Sequence, residues 1–164
     1  MRKLISVVAC ISLAMVMLSI GSTSVLADSH GKKVMAMEAW VRAVPPSAKN
    51  SAAYMMLKNS MGKDVTLVEV STEVAKTVEI HEVVKSGGMM EMRPLKGGLT
   101  IPAGKSVMLQ PGGFHIMMID LTQKLMEGHK VSLTLKFSDG SQVKVSAPVK
   151  QGEGMKMGGM DKKH

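Results

Sequence analysis

The chain has 164 residues, enough for one domain, and a formal net charge of +8. Its lysines and arginines alternate with glutamates, and no basic run carries interleaved aromatics, which argues against a nucleic-acid partner. One cysteine beside 18 methionines and only one Trp, one Tyr and two Phe excludes a disulfide framework and suggests that thioether sulfur is wanted for its chemistry.

Met1-Arg2-Lys3 is a short basic start, Leu4 to Gly21 is almost wholly apolar, and Val25-Leu26-Ala27 suits a signal peptidase. Residues 1–27 are therefore expected to be a signal peptide that directs the chain to the periplasm. The apolar run is long enough to cross a bilayer, so retention of the segment would anchor the protein instead. Val7-Val8-Ala9-Cys10 resembles a lipoprotein cleavage box, but few apolar residues precede it. Cleavage after Ala27 removes Arg2, Lys3 and Cys10, lowers the net charge to +6 and leaves 15 methionines. The mature chain is expected to have no membrane span, no thiolate ligand and no sulfur nucleophile. A soft-metal site in an oxidising compartment is then better built from thioether and imidazole.

Residues 28–33 read as a flexible leader. With Asp28 at the new N-terminus, the amine, two amides and the imidazole of Asp28-Ser29-His30 offer the square-planar nitrogen set that suits Cu(II). From Val34 the pattern is all-β. Strands are expected over Val34–Val41, Ser51–Lys58, Val65–Val70, Thr77–Val84 and Met89–Leu95. In the second, Ala52, Tyr54 and Met56 share a face. In the third, Val65, Leu67 and Glu69 alternate against Thr66, Val68 and Val70. Further strands follow at Leu99, Ser106–Gln110, Phe114–Leu121 and Lys130–Phe137, and after the Asp139-Gly140 hairpin signal the last carries Val143, Val145 and Ala147. Short strands with turn signals about every ten residues predict a Greek-key β-sandwich or barrel over residues 34–150. Residues 151–164 lack apolar periodicity and read as a flexible tail. Its Met155, Met157, Met160 and His164 are auxiliary candidates for copper capture.

The chemistry concentrates between His81 and Met117. A turn centred on Ser86-Gly87 would set His81 opposite Met92. A turn centred on Gly87-Gly88 would set His81 opposite Pro94, with Met92 diagonal to it. Both registers leave His81 and Met92 within reach of one ion. Met90 shares the face of Met92 and is the alternative ligand. His115 and Met117 share a strand face, while Phe114, Ile116 and Met118 point the other way, toward the core. Two imidazoles and two thioethers form a neutral set suited to Cu(I). His129 is assigned to the surface.

These residues resemble the PCuAC family of periplasmic copper(I) chaperones. The matching features are Trp40-Val41-Arg42, Ser51-Ala52-Ala53-Tyr54, Glu79-Ile80-His81-Glu82, Met90-Glu91-Met92-Arg93-Pro94, Ile101-Pro102-Ala103-Gly104 and Pro111-Gly112-Gly113-Phe114-His115-Ile116-Met117-Met118. The interval from Met92 to His115 is slightly longer than the family pattern, and Glu82 stands where relatives sometimes have methionine. The resemblance implies a cupredoxin-like fold, ligands His81, Met92, His115 and Met117, and delivery of Cu(I) to the binuclear copper centre of cytochrome c oxidase, often alongside a Sco-type thiol protein. A monomer and no enzymatic activity are expected. The rival functions are copper storage or detoxification through the same site, and a metal-free secreted interaction domain.

Overall fold

Period-two alternation of apolar and polar residues folds this chain as strands, because each strand buries one face and shows the other to solvent. The structure, a computed structural model, describes residues 34–152. The expected signal peptide, Asp28, Ser29, His30, and Met155, Met157, Met160 and His164 lie outside the described residues. Among the described residues ten strands run in chain order: β1 Val34–Arg42, β2 Ser51–Asn59, β3 Val65–Ser71, β4 Ala75–Ser86, β5 Met89–Pro94, β6 Leu99–Ile101, β7 Ser106–Leu109, β8 His115–Leu121, β9 Lys130–Phe137 and β10 Gln142–Lys150. No helix occurs among the described residues.

The strand order is β5-β4-β8-β2-β1-β10-β9-β3-β6, with β7 pairing to β2. The path folds into two layers. One holds β5, β4, β8, β2, β1 and β7; the other holds β10, β9, β3 and β6. A short parallel pairing of β1 with β10, Val41 to Val149 and Arg42 to Lys150, joins them. Ala53, Met55, Leu57, Ile116 and Met118 face inward from the first layer, and Leu67, Leu133, Leu135, Phe137 and Ala147 from the second. Burial of each large member contributes roughly 1.5–3 kcal/mol. The all-β sandwich expected from the sequence is the observed architecture.

Two bulges adjust the alternation. In β1 the register shifts between Met37 and Trp40, where Glu38 takes a left-handed φ of 53°. The extra residue lets Met37 and Trp40 both face outward, opposite Met56 and Tyr54 of β2. In β3 the register shifts between Leu67 and Glu69. The simple alternation expected there fails: Val68 is exposed and Val70 joins the core.

The β4–β5 hairpin turns on Gly87 and Gly88, with φ of 57° and 87°, and Ser86 pairs with Met89. A two-residue turn of this hand needs positive φ at both central positions, which Gly-Gly meets without strain and Ser-Gly would not. The second of the two expected registers is therefore the one found. His81 stands opposite Pro94, and Val83 stands opposite Met92.

Candidate metal centre

The outward face of the first layer gathers the ring side chains of four neighbouring strands. β4 and β8 are antiparallel, which sets His81 directly opposite His115 and Glu79 opposite Met117. On its other side β8 pairs with β2, with Met117 against Ala52. The two imidazole centroids lie 5.7 Å apart. Tyr54 lies 6.4 Å from His115, and Trp40 lies 4.5 Å from Tyr54. The Arg42 guanidinium sits 5.4 Å above the Tyr54 ring, a cation–π contact.

His115 opens β8 directly after the Pro111–Phe114 loop, and it is only 4% exposed. Its Nδ1 lies 3.0 Å from the Gly113 carbonyl oxygen. A carbonyl only accepts, so Nδ1 carries the hydrogen and Nε2 keeps its lone pair. Burial pushes the His115 pKa below the ordinary histidine value. The Gly113 bond opposes that shift, while the neighbouring His81 and Arg42 add to it. The ring therefore stays neutral, the state in which imidazole binds a metal. Burial likewise raises the Tyr54 pKa against the pull of Arg42, so its hydroxyl stays protonated.

His81 is held differently. Its Nε2 lies 2.7 Å from Glu79 Oε2. The carboxylate accepts, so Nε2 carries the hydrogen and Nδ1 is the ring nitrogen left to face a metal. Glu79 stands two residues before His81 on the same strand face. Sequence reasoning missed it as a site residue, although that i−2 spacing signals it. Tyr54, Arg42 and the Gly113 carbonyl were also unassigned. Tyr54 and the charge of Arg42 reach His115 through strand pairings remote in sequence, and Gly113 acts through a backbone atom.

Met92 and Met117 line a cleft of about 240 Å³ together with His115, Tyr54, Arg42 and Pro111. Met92 sits diagonal to His81, one strand away. Met90 is opposite Lys85, a step nearer the hairpin tip, and does not line the cleft. Both are 64% exposed, so their thioethers are free to swing. Among the described residues no group of three or more His, Cys, Asp or Glu side chains could hold a metal ion. Hard cations need such oxygen-rich sets, and this face offers imidazole and thioether instead.

Face and fold together define a cupredoxin-like β-sandwich of the PCuAC type. The apo PCuAC domain from PmoF1 superposes with a TM-score of 0.61 over 74% of this chain and 99% of that one, at 22% identity. The chain belongs to the LpqE-like family, whose model matches residues 34–149. It is 37% identical over 131 residues to "Putative lipoprotein Lxx21020" of Leifsonia xyli, covering 78% of each protein. It is also similar to CuI-DR1885 from Deinococcus radiodurans, at 36% identity and a TM-score of 0.61, over 77% of this chain and 87% of that one.

Proposed function

We propose that the protein is a Cu(I) chaperone of the bacterial cell envelope that carries its cargo on His115, His81, Met92 and Met117. The observation that carries this reading is the cross-strand pairing of His81 with His115, with the thioethers of Met92 and Met117 lining the cleft at His115. The neutral donor set suits a soft monovalent ion, and it holds that ion more loosely than a thiolate cage would. Loose holding serves delivery. The similar DR1885 protein has been solved in its Cu(I) form, which supports the same cargo here. The expected signal peptide and the lipoprotein name of the Leifsonia relative support export to the periplasm.

By family resemblance, the recipient is the copper-bearing subunit of cytochrome c oxidase, with a Sco-type thiol protein acting alongside. Titration of the apo-protein with Cu(I) against a competing chelator tests the cargo. Wild type should outcompete the His81→Ala/Met92→Ala/His115→Ala/Met117→Ala variant, and equal affinity would sink the assignment. Incubation of the loaded protein with apo oxidase domain tests delivery. Copper should appear on the oxidase domain, whereas a storage protein would keep it.

A further inference from the structure

A second set of soft ligands lies on the same outward face, away from the histidines. Met37 of β1 pairs directly with Met56 of β2, and Met56 pairs directly with Met108 of β7. Directly paired residues point to the same side, with Cβ atoms about 4.5–5.5 Å apart. The three thioethers therefore form a row across three adjacent strands. The neighbours of Met56 along β2, Met55 and Leu57, point inward and are buried, so the row faces out. Met37 is 37% exposed and Met108 40% exposed, and none of the three belongs to the core cluster.

The row exists because of the β1 bulge. The register shift after Met37 lets Met37 meet Met56 while Trp40 still meets Tyr54. Methionine has three rotatable side-chain bonds, so the outer two sulfurs can converge over Met56. Three neutral thioethers select a soft monovalent ion and have little to offer Zn²⁺, Mg²⁺ or Ca²⁺. Tyr54 precedes Met56 by two places on the same face of β2 and stands between the row and His115. The two donor sets share no residue.

We propose that Met37, Met56 and Met108 form a second Cu(I) site, open to solvent and built wholly of thioether sulfur. It should bind more weakly than the imidazole-containing set, since it is exposed and lacks nitrogen donors.

The test is a titration of the full chain, labelled with ¹³C at the methionine methyls, with Cu(I) under anaerobic conditions and ascorbate. Assignment uses single Met→Leu variants. Met37, Met56 and Met108 methyls should shift together, after the response of Met92 and Met117 has saturated. In the Met56→Leu variant, a near volume-conserving change, the shifts of Met37 and Met108 should vanish and those of Met92 and Met117 should persist. Unchanged core methyls of Met55 and Met118 would confirm the variant's fold. If the three methyls stay still at several equivalents, or if Met37 and Met108 still respond without Met56, the site does not exist. Silence at Met92 and Met117 would count against the chaperone site alone, because the two sets report separately.

Discussion

His115 joins burial to chemistry in one side chain. Its ring is nearly inaccessible, its Nδ1–H is committed to the Gly113 carbonyl, and its pKa is held below the usual value of about 6.5 by burial above all. The unfolded chain then takes up a proton more readily than the folded one. Stability of the apo-protein should fall as pH drops from about 6.5 through the lower folded pKa, and His115 should have no such effect above that window. Denaturation midpoints across this range should show that slope, and a His115→Asn variant should flatten it. Glu79 acts on the other ring. By orienting His81 it should strengthen binding, so Glu79→Ala should weaken Cu(I) affinity by about 10–100-fold, as loss of such supporting partners does at other metal sites. Chelator competition would check it, and an unchanged or tighter affinity would mean that the carboxylate competes for Nε2 instead. At this scale the sequence was partly legible. His81, Met92, His115 and Met117 were marked by residue type and spacing. The direct pairing of His81 with His115 was not, because it depends on two strands meeting across more than thirty residues.

Among the elements, the β4–β5 hairpin decides where Met92 stands. Its register follows from two glycines at positive φ, one of which replaces a serine in the rival turn. A Gly88→Val change forces a β-branched residue into that conformation and should cost about 1–2 kcal/mol. It should also loosen the placement of Met92 and weaken Cu(I) binding, while the rest of the sandwich stays intact by circular dichroism. Strand positions were readable from alternation and turn residues, since those signals are local. The bulges at Glu38 and Val68 were not, because neither carries a glycine or proline to mark it. Each is imposed by the partner strand: β2 needs Trp40 opposite Tyr54, and β9 needs Glu69 opposite Lys136.

At the scale of the whole molecule, burial is unevenly shared among the described residues. β2 is buried along most of its length and flanked by β1, β7 and β8, whereas all six residues of β5 are exposed at the sheet edge. Amide exchange should follow that gradient, slow through β2 and β9 and fast at Met89–Arg93. If Met92 closes on cargo held by the histidines, Cu(I) should slow exchange in β5 selectively. Uniform protection, or none in the hairpin, would count against Met92 as the closing ligand. The two-layer architecture was foreseeable because it needs only the count and alternation of strands. The joining of the layers through β1 and β10 depends on a parallel contact that no local pattern announces.

The bulge at Glu38 also divides β1 into two phrases with a spacer between them. Alternation has a period of two, so one added residue exchanges inward and outward positions for everything on one side of it. Val34 to Met37 is set in phase with the thioether row, and Trp40 to Arg42 with the rings. Deleting one residue from the spacer would not merely shorten the strand. It would keep one phrase in place and turn the other inside out, presenting Val34 and Ala36 to water and Met35 and Met37 to the core. A single backbone kink thus keeps two unrelated chemistries legible on one surface.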